Sequence, residues 1–405
     1  MYFPGVIGRT DSKAEGLEVE VLHTSERLWM LADEWRALET CTHDRCNVFQ
    51  RFDWCWKWHD RIGKGNRLFV ISVRRGGQLV SVWPLEIIRH GPVSRLCWLS
   101  HDALEYGGAL IHHDCHPRDV FSAVWPVIAS APVDLVQLSA VDSTSVLHPL
   151  LGEMCLAGRK THAFHINLAG IDGWQGWQSG LKAKTRRVRN KRFNKLSRQG
   201  KLTFSVHAGG PRYRELTGIA LEWKHDWLKK RHWPANLVGD PAFRDFLDGL
   251  GRDEAGQKDG WLAAELSVDG QPVAIELGAV CGPRYLSYLG AYDPAFAKFS
   301  PGKIELAMMI RWCLENGIAI YDLLCNRSQY KADWSNCEAG VEDFDLALTL
   351  SGRVFHSIWL KRLKPALKAG LQRLPGTWRG AVFAAAGRTC AKPGRRKVKG
   401  FQNVS

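Results

Sequence analysis

The chain of 405 residues has no run of eighteen or so uncharged apolar residues, so hydropathy offers no helical membrane span. Its opening, MYFPGVIGRTDSKAEG, lacks the apolar stretch of a secretory signal, and a cytoplasmic location is expected. Cysteines number eleven, scattered and odd in count, which suits free thiols in a reducing compartment better than a disulfide framework. Two segments lack acidic residues altogether. One is 346–405, with thirteen cations from Arg353 to Lys399; the other is 182–201, with ten from Lys182 to Lys201. Although the formal charge is +14, the rest of the chain is therefore net acidic and carries two basic patches. Zinc spacing is missing too. His112-His113-Asp114-Cys115-His116 and the group Cys41, His43, Cys46 have no partner pair at a zinc interval, so no metal is expected. No recognised DNA or RNA motif is present.

What is present is a chain that is 45% apolar, enough to bury a substantial core over two domains. In coarse order, 17–168 reads as a strand, two helices, a run of short strands, then helices alternating with strands. A helical connector with the first basic block follows, stopped by Gly200. From 202 the order repeats without obvious residue identity: a strand, two helices, a hairpin around Asp269-Gly270, then the unit described next. The expected divisions are 1–170, the connector 171–201, 202–345, and a basic amphipathic helix with a flexible tail over 346–405.

The most informative stretch is 284–334. Residues 285–292 read as a buried strand with Gly290 inside it, Phe299-Ser300-Pro301-Gly302 as a turn, and 304–314 as a helix that ends at Asn316-Gly317. A second apolar strand over 318–324 completes a βαβ unit. Such a turn leaves the first amides of the helix, around Gly302, Lys303 and Ile304, without helical partners and able to receive a phosphate, with Lys303 as a mobile cation. A plain connection with proline near N1 fits the same residues.

Residues 291–334, AYDPAFAKFSPGKIELAMMIRWCLENGIAIYDLLCNRSQYKADW, resemble the C-terminal half of GNAT-like acyltransferases of the CelD type, named from cellulose biosynthesis. The matches are Tyr292, Asp293, Ser300, Pro301, Gly302, Gly317, Asp322, Tyr330, Lys331 and Trp334. The chain departs from that pattern at Leu323-Leu324-Cys325-Asn326, and Lys298 departs from the glycine-rich loop of ordinary GNAT members. The resemblance implies an α/β (α+β) fold of tandem GNAT-like domains, each a mixed, mostly antiparallel sheet flanked by helices, an arrangement similar to that of Fem-type peptidyltransferases. It implies acetyl-CoA or another acyl-CoA as cosubstrate, with pantetheine along Leu289, Gly290, Ala291 and Tyr292 and the pyrophosphate on Phe299, Ser300, Pro301, Gly302 and Lys303. It makes Tyr330 a proton donor to the leaving thiolate and Lys331 a phosphate or substrate contact, with Asp322 orienting their loop.

For a general base, Glu276 stands out as a carboxylate among Ala274, Ile275, Leu277 and Gly278; strand alternation would instead place it on a wet face. Glu222, His225 and Asp226 share one helix face, either toward a cleft or as solvated surface. The expected activity is acyl transfer to an amine or hydroxyl of a sugar or cell-envelope polysaccharide precursor. The C-terminal basic helix suits an anionic membrane surface. The alternatives are Fem-type transfer from aminoacyl-tRNA, motivated by the basic connector, and an inactive GNAT-like scaffold at a membrane.

Overall fold

The structure, a computed structural model, describes residues 16–44, 48–233, 235–251, 259–325, 329–363 and 370. Cys46, Asn326, the tail expected over 380–405 and most of the helix expected past 363 lie outside the described residues. The first half comprises β1 (Leu17–Leu22), α1 (Ser25–Met30), α2 (Ala32–Glu39), α3 (Phe52–Arg61), β2 (Arg67–Leu68), β3 (Val70–Arg75), β4 (Gln78–Trp83), β5 (Leu85–His90) and β6 (Val93–Trp98). It ends with β7 (Leu110–Ile111), α4 (Pro117–Ala129), β8 (Leu135–Asp142), α5 (Leu147–Met154) and β9 (Leu156–Asn167).

Within the run of short strands the sequence suggests two strands, over 67–73 and 79–88, but each is cut in two, at Phe69 and at Pro84. Proline has no N–H for a ladder, and at these cuts the chain changes sheets. β3 and β4 lie in a four-stranded sheet ordered β1-β3-β4-β7, whereas β2 and β5 end a sheet of eleven strands.

The connector is α6 (Gly173–Gly180) and α7 (Ala183–Ser197). The second half follows as β10 (Leu202–His207), α8 (Gly210–Lys230), α9 (Pro241–Asp248), β11 (Gly260–Val268), β12 (Gln271–Cys281), β13 (Arg284–Tyr292), α10 (Pro301–Glu315) and β14 (Ile320–Cys325). It closes with α11 (Gln329–Trp334), β15 (Cys337–Ala347), α12 (Leu350–Val354) and a wider helical turn over Phe355–Leu363. The fold is a mixed, mostly antiparallel α/β arrangement flanked by helices, as expected from the sequence.

The large sheet runs β10-β11-β12-β13-β14-β9-β15-β8-β6-β5-β2. Its parallel pairs are β13 with β14, spanned by α10, and β6 with β8, spanned by α4. Between them lie β9 and β15, antiparallel to each other. The last strand of the first half thus pairs with β14 of the second, and the last strand of the second pairs with β8 of the first. The halves exchange strands, so neither sheet is complete alone.

Side chains reinforce the exchange. Trp54 of α3 is 1% exposed; it stacks on Trp261 of β11 at 5.3 Å and meets Phe246 of α9 at 4.8 Å. Burying an aromatic ring of this size contributes roughly 2–3 kcal/mol. At the rim of the same contact Arg51 reaches Asp259 at 3.0 Å, and Lys57 donates to the Gly249 carbonyl.

Candidate acyl-transfer site

β13 and β14 run side by side for three residue pairs, from Arg284–Ile320 to Leu286–Asp322. Past that point the described residues show no pairing between them, and the sheet opens. Asp322, wholly buried, sits at the fork. Its carboxylate accepts from Tyr106 Oη at 3.0 Å, Arg284 Nη1 at 3.2 Å and the Leu324 amide at 2.7 Å, and His165 Nε2 lies 3.4 Å away. Leu324 takes a left-handed conformation, φ 63°, costly for a leucine and held here by that amide bond.

A cavity of about 420 Å³ lies on the β13 side of the fork. Its wall is the strand edge at Gly290, Ala291 and Tyr292, its floor the start of α10, and its roof Trp223, Lys224 and Trp227 of α8 with the C-cap Arg231. A Cβ at Gly290 would meet nothing within 4 Å. Beyond Tyr292, Asp293 accepts from the Ala295 amide at 2.8 Å and caps a 3-10 turn over Pro294–Phe299. Ser300, left-handed at φ 56° and ψ 53°, is the N-cap of α10, with Pro301 at N1 and no capping bond from its side chain. The Lys303 amide is given to the Ser300 carbonyl at 3.0 Å, so the set of outward amides expected from the sequence is smaller by that one.

Two carboxyls line the cavity. Glu276, 4% exposed, accepts from Tyr321 Oη at 2.5 Å, Ser287 Oγ at 2.7 Å and Tyr285 Oη at 3.0 Å. The wet-face reading of this residue is thereby excluded. Gly278 makes room for the arrangement, since a Cβ there would lie 2.2 Å from Tyr285 Oη. Burial raises the Glu276 pKa, while the three hydroxyls favour its ionised form. Glu305, just past the first turn of α10, is 3% exposed, and its Oε1 has no hydrogen-bond partner among the described residues. Burial, and then the charge of Glu276, push its pKa well above the ordinary carboxylate value. Of the two, Glu305 is the one held more firmly protonated, while Glu276 keeps three donors to its ionised form.

Cations and a phenol complete the lining. Lys224 Nζ donates to the Gly290 carbonyl at 3.3 Å, and its pKa is lowered by burial and by Lys331. Arg231 lies over the Trp227 ring at 4.0 Å. Burial, with Glu276 and Glu305 adding, pushes the Tyr330 hydroxyl well above its ordinary pKa and keeps it protonated.

Of the sequence-derived residues, Glu276, Tyr330, Gly290, Ala291, Tyr292, Ser300, Pro301, Gly302 and Lys303 come together on this cavity. Leu289 and Phe299 do not; both are packed in the core. Nor does Lys331 line it, because its ammonium donates to the Cys325 carbonyl at 2.6 Å. Its charge instead opposes the burial that pushes the Glu105 carboxyl up to about 7. Glu222, His225 and Asp226 lie off the lining, while Trp223 and Trp227 of the same helix and its C-cap Arg231, spaced four apart, lie on it. That spacing, and a glutamate between Ile304 and Leu306, were the signals available in the sequence. His112, His113 and Asp114 approach one another closely enough to share an ion. The two imidazoles, however, stack at 4.6 Å, and His113 Nδ1 bonds the Cys41 carbonyl at 2.8 Å.

The first half has its own parallel fork, between β6 and β8, but its chain fills it. Residues 106–108 take the place beside β8 that β6 leaves, with Gly107 bridging in parallel to Val141 and its amide bonded to the Ala140 carbonyl at 2.9 Å. A Cβ at Gly107 would fall 2.2 Å from the Trp98 indole nitrogen. Only a glycine fits there.

Residues 183–332 match the family described as Acetyltransferase (GNAT) domain. This region thus has the GNAT-type acyltransferase fold. The structure of FemX aligns with a TM-score of 0.56 at 12% identity, covering 84% of this chain and 99% of its own. A Bacteroides thetaiotaomicron protein of unknown function aligns at 0.51 and 11% identity, covering 82% of this chain and 100% of its own. The C-terminal DUF2156 domain assigned to a lysylphosphatidylglycerol synthetase from Agrobacterium fabrum aligns at 0.50 and 10%, covering 82% and 95%. At such identities these likenesses concern the fold alone. No curated protein sequence matches the chain.

The Glu305 carboxyl gives a pH test with a definite sign. Its folded pKa lies above the ordinary 4.5, so the stability it contributes is present below about that pH and is lost as pH rises through the folded value. Glu305→Gln copies the protonated form. Its Tm relative to the parent protein should be nearly unchanged at pH 5 and should rise steadily toward pH 9; a gap that is constant or narrows with pH would contradict a buried, protonated Glu305.

Proposed function

We propose that the protein is an acyltransferase that takes an acyl group from acetyl-CoA or another acyl-CoA. It passes that group to an amine or hydroxyl of a sugar or cell-envelope polysaccharide precursor. The observation that carries this reading is the unfilled fork of β13 and β14, which opens on a cavity floored by a helix N-terminus. A pantetheine arm fits along the strand edge at Gly290–Tyr292, and a pyrophosphate suits the Ser300–Lys303 corner, where helix dipole and Lys303 both favour negative charge.

In this reading the acceptor attacks the thioester carbonyl carbon while its proton passes to Glu276. The C–S bond breaks, and the departing thiolate takes the Tyr330 proton; the proton on Glu276 then restores the phenol through solvent. Glu305, holding its own proton, keeps a second negative charge away from the developing oxyanion. Because the corresponding fork of the first half is filled by 106–108, one donor site is assigned to the chain.

We further propose that the C-terminal helix rests on an anionic membrane surface. Gly352 and His356 hold it to the body: a Cβ at Gly352 would fall 1.9 Å from the Asp134 carbonyl oxygen, and His356 Nε2 lies 3.4 Å from Asp345. Leu350, Val354 and Ile358 are exposed at 76%, 57% and 49%, beside Arg353 and followed by a sequence without acids.

Acetyl-CoA at a hundred times its Kd should stabilise the protein by about 2.7 kcal/mol, a Tm rise of several degrees. Gly302→Glu, which puts a carboxylate at the phosphate corner, should abolish that rise; equal shifts in both forms would remove the donor site from this corner. A shift with charged tRNA and none with acyl-CoA would favour aminoacyl transfer.

Co-sedimentation with vesicles of phosphatidylglycerol and phosphatidylcholine should capture the full chain at low salt, with capture lost in the double variant Val354→Asp, Ile358→Asp. Failure to sediment, or undiminished capture of the variant, would refute the membrane reading.

A further inference from the structure

A second cavity, of about 280 Å³, lies between α6, α7 and another face of α10. It meets the first at Lys303, which lines both. Arg186, Arg189, Arg192 and Arg311 reach it, and no carboxylate is among its lining residues. Such a concentration of cations on a solvated helix face would be unremarkable; Arg189 is not on one. Its guanidinium lies 3.7 Å over the Trp334 ring and 4.8 Å from that of Trp177, and its Nη1 is buried without a hydrogen-bond partner among the described residues. Burial, and then Arg192, lower its pKa to about 10, with Tyr330 opposing them and no carboxylate doing so.

An unsatisfied guanidinium of this kind costs stability unless something completes it. Stacking on two indoles fixes its plane and leaves its edge, where the N–H donors lie, to meet an anion. Around it the surface is apolar: Trp174 stacks on Trp177 at 4.9 Å and 22°, and Ile304, Ala307 and Met308 of α10 form one wall. The complement to this chemistry is a negative head on a flat or apolar body.

We infer that this cavity binds a phosphoryl group carried on a flat or apolar body, and that it anchors the anionic end of the acceptor. The binding claim stands without the acyl-transfer reading; only the word acceptor rests on it. A nucleotide-linked sugar and an isoprenoid phosphate share this chemistry. Either would have its phosphate at Arg189 and Arg192, and Lys303 would mark the way from there to the cavity of Glu276.

Calorimetric titration of the full chain, without acyl-CoA, should detect UDP or geranyl diphosphate, but not uridine or geraniol. The phosphate ligand that binds more tightly identifies the carrier. Arg189→Met and, separately, Arg192→Met at the cavity's edge should each weaken that binding at least tenfold, leaving the acetyl-CoA thermal shift intact as a check on folding. The inference is overturned if neither phosphate binds, if neither variant weakens binding, or if 3′,5′-ADP displaces the ligand one for one. That last result would make the cavity the seat of the donor's nucleotide. Acetyl-CoA binding is measured separately, so failure here is distinguishable from failure of the donor assignment.

Discussion

The buried carboxylate of Asp322 is the point on which the arrangement turns. Water cannot reach it, so the charge must be met by protein donors, and these come from four places in the chain: Tyr106 in the first half, Arg284 on β13, the Leu324 amide on β14 and, at 3.4 Å, His165 on β9. Satisfying that one group fixes where β13 and β14 stop pairing, forces Leu324 into a left-handed conformation, and brings the loop that fills the first-half fork against the opening of the second. The cavity is therefore a consequence of strands held apart.

Strand exchange sets the two forks of a near repeat in one sheet, and among the described residues the parted strands are left unfilled in the second. β9 and β15 each complete the other half's sheet, so the two parallel forks occur in one continuous surface. In the first, Gly107 allows the chain to lie against Trp98; in the second, Gly290 leaves the strand edge clear and Gly278 lets Tyr285 reach Glu276. Three glycines thus separate a filled fork from an open one lined by a hydrogen-bonded carboxylate.

Much of this was legible in the sequence. The βαβ unit over 284–324, the Ser300-Pro301-Gly302 turn and the repeated order of elements follow from local periodicity and turn chemistry. The strand exchange does not, because an antiparallel strand looks the same whichever half it joins. Splitting of the early strands at Phe69 and Pro84 depended on which sheet each piece would enter, a tertiary choice. Within the site, Glu276 was visible as an acid in an apolar strand, whereas Glu305 was hidden in a helix where acids are ordinary. The selection of Glu222, His225 and Asp226 followed charge; packing against β13 selected the tryptophans of α8 instead.

The central claim, that the parted strands and the helix beside them hold an acyl donor, is tested most directly by difference density from a crystal soaked with coenzyme A. The account predicts pantetheine along Gly290–Tyr292 and the pyrophosphate at Ser300–Lys303. Density for that molecule in the first-half fork, or confined to the arginine-lined cavity across α10, would contradict it.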